Sequence, residues 1–167
     1  MLFIECTQKL ASELKIKIDS APPQADPLFE WHAHLFMAGN RKSVILMNNR
    51  TRYTIVLYGL RKEHFKNFGV IFREAVFKNF MVEEIDGPII EKYLNNCDDI
   101  IYCKTYDRSI LSQINDILYL TEARIRDYLP TERMNLIELN RENNRTPLSR
   151  LPQTYAIRAM IEALKTL

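Results

Sequence analysis

The sequence predicts an α+β fold, in which helices cover a mainly antiparallel sheet. The stretch from Trp31 to Tyr58 reads as three consecutive strands, a three-stranded meander joined by two short turns. The turns fall at Gly39-Asn40 and Asn48-Asn49, residue types that tolerate the positive φ angles of tight hairpins. The second and third strands are apolar on both faces, which is typical of strands covered on both sides.

Length and composition favour one domain spanning residues 1–167, because domains hold roughly 100–200 residues. Hydrophobic residues make up 47% of the chain, enough for a core without a metal or disulfide. Glycine is scarce, so no Gly-rich phosphate loop and no cofactor are predicted. Three cysteines without CxxC spacing indicate reduced thiols in a cytoplasmic protein. Neither a signal peptide nor a membrane-spanning run is predicted, and the oligomeric state stays open.

Three segments are predicted before the meander: a strand, a helix and an exposed connector. Residues 1–6 form an apolar run typical of a strand. Thr7 is a candidate cap for a helix whose Leu10 and Leu14 face inward. Residues 20–27 contain three prolines, which remove backbone donors, so an exposed connector is predicted.

The strongest helix prediction covers residues 61–81. Its apolar stripe has helical spacing and consists of Phe65, Phe68, Phe72, Ala75 and Val76. Gly69 interrupts this helix, and we interpret it as a point of close packing. Pro88 opens a short helix that reaches residue 94.

The second half of the chain begins with a predicted strand at 99–104. Asp107 is a good helix cap, and the helix that follows runs to 128. Residues 133–141 fit helix or strand, and 140–150 form a polar loop. Pro152 then opens a final helix over 153–166 with one apolar stripe.

A basic rim of the sheet is the first candidate site. Between Trp31 and Lys62 the chain has six Lys/Arg residues and no Asp or Glu. Arg41 and Lys42 occupy the first turn, and the third strand returns towards that end, so Arg61 and Lys62 are expected nearby. Four cations at one rim suit a phosphate or an acidic partner. The alternatives are a solvated rim, or pairing with the acidic stretch 83–86.

His32 and His34 are the second candidate, as metal ligands. Positions i and i+2 of a strand share a face, so both imidazoles can reach one ion. No spacing identifies a third ligand. The alternative is two strand histidines beside Phe36, one hydrogen-bonded and one exposed.

A polar strip on the helix 107–128 is the third candidate. Helical spacing places five residues on one side of this helix: Arg108, Ser112, Asn115, Asp116 and Tyr119. Such a strip either lines a pocket or belongs to a cap and buried polar network that ties helix to sheet. Nucleophilic catalysis by Ser109 or Cys103 lacks any signature such as GxSxG.

Several short motifs resemble an uncharacterised bacterial domain family of unknown function. They are Trp31-His32-Ala33, Arg41-Lys42, the helix around Phe72, Arg108-Ser109 with Asn115-Asp116, and Asn144-Arg145-Thr146-Pro147. The resemblance covers roughly Phe3 to Leu164, although Ser112 stands where the family usually has glycine. The resemblance implies a cytoplasmic bacterial protein. It also implies one shared structural or functional unit made of Trp31, His32, Arg41, Lys42, Arg108, Ser109, Asn115 and Asp116. It brings no activity.

Two functions follow as hypotheses, with a structural alternative. The first is a non-enzymatic binding module for a protein or nucleic-acid partner, through Arg41, Lys42, Arg61, Lys62, Arg108 and Asn115. Replacing Arg41 and Lys42 with glutamate would then abolish binding. The second is a metal-dependent hydrolase or nuclease that uses His32, His34 and Asp116. The structural alternative is an oligomeric subunit. It would be recognised by an apolar surface patch on the last helix.

Overall fold

The computed structural model describes residues 1–18, 25–128 and 134–167. The strands in these ranges are β1 (Leu2–Cys6), β2 (Glu30–Ala38), β3 (Arg41–Asn48), β4 (Thr54–Leu57) and β5 (Ile100–Lys104). The α-helices are α1 (Gln8–Leu14), α2 (Lys62–Lys66), α3 (Phe68–Val82), α4 (Gly87–Asn95), α5 (Arg108–Tyr128), α6 (Leu136–Asn144) and α7 (Ala156–Leu164). A short 3-10 helix, Pro27–Phe29, leads into β2. None of the described helices is long and apolar enough to cross a membrane.

The strands form one mixed sheet in the order β4-β3-β2-β1-β5. β3 pairs antiparallel with β2 and β4, whereas β1 pairs parallel with β2 and β5. The α+β class is therefore confirmed, and the mainly antiparallel sheet is wrong. Parallel pairing requires that β2 and β5 start at the same end of the sheet as β1. The chain returns to that end through α1 before β2, and through α4 before β5.

Helices cover both faces of the sheet. The larger core packs α1, α3, α4 and α7 against one face, which includes Trp31, Val44 and Leu46. The smaller core packs α5 and α6 against the other face, where Ile45 and Met47 point. The alternation of apolar residues along β3 thus places its side chains in two separate cores.

The predicted helix at 61–81 is two helices. Asn67, with φ −113° and ψ 30°, leaves the helical region between α2 and α3. Gly69 lies just after this break, where a Cβ atom would stand 2.7 Å from Cδ1 of Ile100. The predicted close packing at Gly69 is confirmed, and it lets α3 approach β5.

The turn between β3 and β4 is longer than predicted. It spans residues 49–53, and Asn48 organises it from the end of β3: its Oδ1 accepts from Arg50 N at 3.1 Å, and from Thr51 N and Oγ1, each at 3.0 Å. The positive φ in this turn falls on Arg52, at 61°.

The last third of the chain corrects two further boundaries. Residues 133–141, which the sequence leaves open between helix and strand, overlap α6 (Leu136–Asn144), so the predicted polar loop at 140–150 begins five residues too early. The final helix begins at Ala156, four residues after Pro152, and its stripe of Ile157, Met160 and Leu164 is buried in the larger core. That stripe is therefore no surface patch. Most of the predicted connector at 20–27 lies outside the described residues, as do residues 129–133.

Two asparagines of α6 bond the outer edge of β4. Asn144 accepts from the backbone amide of Thr54 at 2.7 Å and donates to its carbonyl at 2.8 Å. One helical turn earlier, Asn140 accepts from the amide of Val56 at 2.8 Å. These amide side chains take the place of a sixth strand, since an edge strand otherwise leaves such groups unpaired.

Candidate functional site

The basic rim lies at one end of the sheet. The amide of Leu60 donates to the carbonyl of Lys42 at 2.7 Å, so Arg61 and Lys62 follow directly beside the β2–β3 turn. The guanidinium of Arg41 lies over the ring of Tyr58, 5.8 Å from its centroid. The four predicted rim cations are all exposed.

Four more lysines extend this rim, and the first of them is the exposed Lys9 on α1. The segment after α1 meets α2 in a surface pocket that is lined by Ile16, Phe65 and Lys66. Lys15 and Lys17 flank Ile16 and are exposed, as is Lys66. We call residues 8–18, 39–42 and 58–67 together the basic end.

Charge is unevenly distributed between the basic end and the rest of the chain. The basic end carries eight exposed Lys/Arg residues and two glutamates, Glu13 and Glu63. The remainder of the sequence has 15 Lys/Arg against 19 Asp/Glu. A chain of net charge +2 therefore concentrates an excess of six positive charges at one end and is net acidic elsewhere.

Acidic partners neutralise little of the basic end. Lys42 Nζ pairs with Glu13 at 2.8 Å. In the acidic stretch 83–86, Glu83 instead pairs with Arg145, the residue that follows α6, at 2.8 and 2.5 Å. The alternative in which Glu83 neutralises the rim is therefore wrong.

Arg108 and Asn115 lie away from the basic end. Arg52 follows the far end of β3, and its Nε donates to Gln113 Oε1 at 3.2 Å. The first turns of α5, which include Arg108 and Asn115, therefore lie near that far end. Eight residues of strand separate the two ends by roughly 25 Å. The unit implied by the family resemblance is thus divided between both ends of the sheet.

His32 belongs to a buried polar cluster rather than to an open site. Its imidazole is 0% exposed. Nε2 lies 3.0 Å from Glu5 Oε2, and Nδ1 lies 2.7 Å from Asn49 Oδ1. Asn49 Nδ2 donates to Glu5 Oε1 at 2.7 Å and to Glu30 Oε2 at 3.1 Å. Tyr106, half-exposed, donates to Glu30 Oε2 at 3.4 Å and covers the cluster.

The two carboxylates determine the hydrogen-bond roles of the Asn49 amide and of the His32 Nδ1 that it faces. Asn49 Nδ2 donates to both glutamates, so the other atom of the amide, Oδ1, faces His32. Oδ1 must therefore accept a hydrogen bond from His32 Nδ1–H. His32 Nε2 then faces Glu5 Oε2 at ion-pair distance, although the two atoms are not aligned for a hydrogen bond. His32 and Glu5 are both fully buried, so the histidine of this cluster has no access to solvent.

His34 occupies the same face of β2 and is partly exposed. Within the described ranges, no three His, Cys, Asp or Glu side chains are grouped to hold a metal ion. Metal binding by His32 and His34 stays a prediction. Asp116, the third residue of that hypothesis, lies on α5.

A pH dependence follows from His34. Burial lowers the pKa of His34 from its usual 6.5, and the charge of Lys9 lowers it further. The unfolded chain therefore binds the proton more tightly, and stability is lost as the pH falls through about 6.5 towards the folded pKa. We expect His34→Gln to reduce the loss of stability between about pH 7 and 5, as measured by urea unfolding at each pH. Identical pH profiles for both proteins would contradict this assignment.

The predicted polar strip of α5 only partly lines a pocket. Ser112 and Asp116 border a cleft of about 320 Å³, whose other wall is the loop 146–150. The remaining strip residues, Arg108, Asn115 and Tyr119, are exposed outside that lining. The alternative of a helix cap is also present, since Asp107 Oδ1 accepts from the amide of Ser109 at 2.8 Å.

Cys103 is unsuited to nucleophilic catalysis. It lies on β5 beside Glu5 and is 4% exposed. Burial, with the charges of Glu5 and Glu30, raises the pKa of its thiol to about 12. The thiolate, which is the reactive form, is therefore rare at neutral pH.

Sequence reasoning missed the carboxylates of the buried cluster. Glu5 is the one charged residue in the apolar run LFIEC, and Glu30 directly precedes Trp31. A charge inside an otherwise buried strand is a detectable signal, since such residues are almost never fully buried unless paired. Asn49 was interpreted only as a turn residue.

Comparison with known proteins yields one family. A family model described as a domain of unknown function, DUF6933, matches residues 3–158. No curated protein and no solved structure matches the chain.

Proposed function

We propose that this chain, which belongs to the DUF6933 family of domains of unknown function, is a binding module that holds nucleic acid at its basic end. The observation that supports the proposal is the concentration of eight exposed Lys/Arg residues in three neighbouring segments of a chain that is otherwise net acidic. A phosphate backbone presents closely spaced negative charges, and such a cationic surface attracts it independently of base sequence.

Two features favour nucleic acid over a single acidic side chain as the ligand. The cations come from the β2–β3 turn, from the segment around Arg61, and from α1 with the residues that follow it, so they cover a surface rather than one point. The Arg41 guanidinium also lies over the ring of Tyr58, and the outer face of such a pair can stack on a base.

The test is a double charge reversal. Arg41→Glu with Lys62→Glu removes two exposed cations, neither of which has an acidic partner in the described part of the chain. We expect affinity for a short labelled RNA or duplex DNA to fall at least about tenfold, because two phosphate contacts become repulsive. The plot of log K against log salt between about 50 and 200 mM should become shallower by about two.

The matched control reverses one exposed arginine and one exposed lysine elsewhere. Arg108→Glu with Lys165→Glu changes the net charge equally but leaves the basic end intact, since α5 begins near the far end of β3. It should bind nearly as the unmodified protein does. Equal losses of affinity in both double variants would show that binding depends only on net charge, and would overturn the proposal. Equal binding of a synthetic polyglutamate would assign the surface to an acidic protein instead.

A further inference from the structure

β5 is one edge of the sheet, and no described strand pairs with its outer side. The opposite edge is covered, because Asn140 and Asn144 of α6 bond the backbone of β4 there. Among the described residues, none bonds the outer backbone of β5 in this way. An edge strand whose amides and carbonyls are unpaired is a template for another strand, and proteins usually protect such an edge.

The pairing of β5 with β1 determines which backbone groups of β5 point outward. Leu2 N donates to the carbonyl of Asp99 at 2.8 Å, so the backbone of Asp99 faces β1. Backbone groups alternate in direction along a strand, so those of Ile101 also face β1. The amides and carbonyls of Ile100 and Tyr102 therefore point away from the sheet, where a further strand would bond them.

Ile101 is the exposed apolar residue of this edge. Its side chain is 38% exposed, and it lies on the face opposite Ile100 and Tyr102, which pack against the larger core. β5 has the sequence IIYCK, which is rich in β-forming residues, contains no proline and is charged only at its last residue. The centre of this open edge is therefore well suited to pair with a strand.

Charges of opposite sign lie at the two ends of the edge. Asp98 and Asp99 precede β5, Lys104 ends it, and all three are exposed. Asp98 pairs with Arg73 at 2.6 Å, whereas neither Asp99 nor Lys104 has an ionic partner in the described part of the chain. In an antiparallel pair of two such strands, the acidic end of each lies beside the basic end of the other. Opposite charges across a strand pair stabilise it, and like charges, which a parallel pair would bring together, destabilise it.

We propose that β5 pairs antiparallel with β5 of a second copy of this chain, so that two five-stranded sheets join edge to edge. A two-fold axis at Ile101 sets the two Ile101 side chains against each other. It places Ile100 opposite Tyr102 of the second copy, so that their outward amides and carbonyls bond. Lys104 then lies opposite Asp98 of the second copy. This pairing does not depend on nucleic-acid binding.

Sedimentation velocity on the full chain, without nucleic acid, measures the association. We expect the average sedimentation coefficient to rise from the monomer to the dimer value between about 10 and 500 μM, because a small interface binds weakly. Amide hydrogen exchange locates the interface. The Tyr102 amide should exchange about threefold more slowly at the higher concentration, since it is open to water only in the monomer. The amide of Asn40, in the exposed β2–β3 turn, should exchange at the same rate at both concentrations.

Two variants disrupt the strand pair in different ways. Tyr102→Pro removes an outward amide that β1 does not use, and an edge strand tolerates proline at such a position. Ile101→Lys sets two ammonium groups against each other at the two-fold axis, and its exposed position leaves the fold intact. We expect each variant to weaken dimerisation at least about tenfold. The matched control is Met81→Lys, which changes another half-exposed apolar residue, on α3, and should dimerise as the unmodified protein does.

An unmodified protein that stays monomeric at about 500 μM would overturn the proposal, as would a dimer that persists in Ile101→Lys. Equal weakening in Ile101→Lys and Met81→Lys would overturn it too, because the loss would then follow from the added charge alone. A dimer that is lost in Met81→Lys but kept in Ile101→Lys would assign the interface to the exposed face of α3 instead.

Discussion

Glu5→Leu is expected to lower the free energy of unfolding by about 3–5 kcal/mol, because it removes one member of a buried ionic cluster. Glu5 is fully buried, and its two oxygens face His32 and Asn49. With leucine in its place, one Asn49 amide proton has no acceptor and His32 Nε2 loses the carboxylate beside it, and neither group can reach water. Urea unfolding followed by circular dichroism measures the loss, with the denaturant slope m checked for constancy.

The double variant Glu5→Leu with His32→Leu provides the control for that loss. It removes both facing polar side chains together, so we expect it to be less destabilised than the sum of the single variants, by a coupling of about 0.5–3 kcal/mol. Additive effects would show that Glu5 and His32 do not act as a pair. Such a result would mean that the proximity of Glu5 and His32 contributes no measurable free energy to folding.

Asn144→Leu is expected to destabilise the protein by about 2–4 kcal/mol, because it leaves two buried backbone groups without partners. Asn144 is 0% exposed and bonds both the amide and the carbonyl of Thr54, which is itself 1% exposed. Leucine is close in size but can neither donate nor accept. Hydrogen exchange supplies a local measurement: the amide of Thr54 should exchange faster, relative to global unfolding, than that of Ile55, which lies within β4.

A conservative variant distinguishes hydrogen bonding from packing at this edge. Asn144→Asp keeps the acceptor for the Thr54 amide but loses the donor to the Thr54 carbonyl, so protection of that amide should survive in part. Asn115→Leu, an exposed asparagine on α5, should change stability by no more than about 0.5 kcal/mol. If Asn144→Leu is as mild as Asn115→Leu, the bonds to β4 contribute little.

Much of the local structure was predictable because it depends on neighbours in the chain. The apolar alternation of β3 and the Asp107 cap of α5 are both short-range signals, and both hold in the structure. The sequence does not reveal the break at Asn67, because a stripe with helical spacing continues across it. Residues 133–141, which overlap α6, stay open between helix and strand because they have no strong periodicity.

The candidate site was predictable only in part. A turn between antiparallel strands brings both strand ends together, so the sequence placed Arg61 and Lys62 beside Lys42. The rest of the basic end was missed, because Lys15 and Lys17 come from a segment whose position depends on packing against α2. Arg108 was grouped with the rim, yet the direction of α5 across the sheet places it at the other end.

The sequence by itself determined the approximate positions of most helices and strands, most of the apolar core positions, and the α+β class, since hydrophobic period and caps act over a few residues. The tertiary structure alone decided that β1 pairs parallel to both of its neighbours, that Asn144 bonds the edge of β4, and that Glu5 meets His32. Those contacts join residues far apart in the chain. No local pattern encodes them, because their energy exists only once burial has removed the water that would otherwise satisfy each polar group.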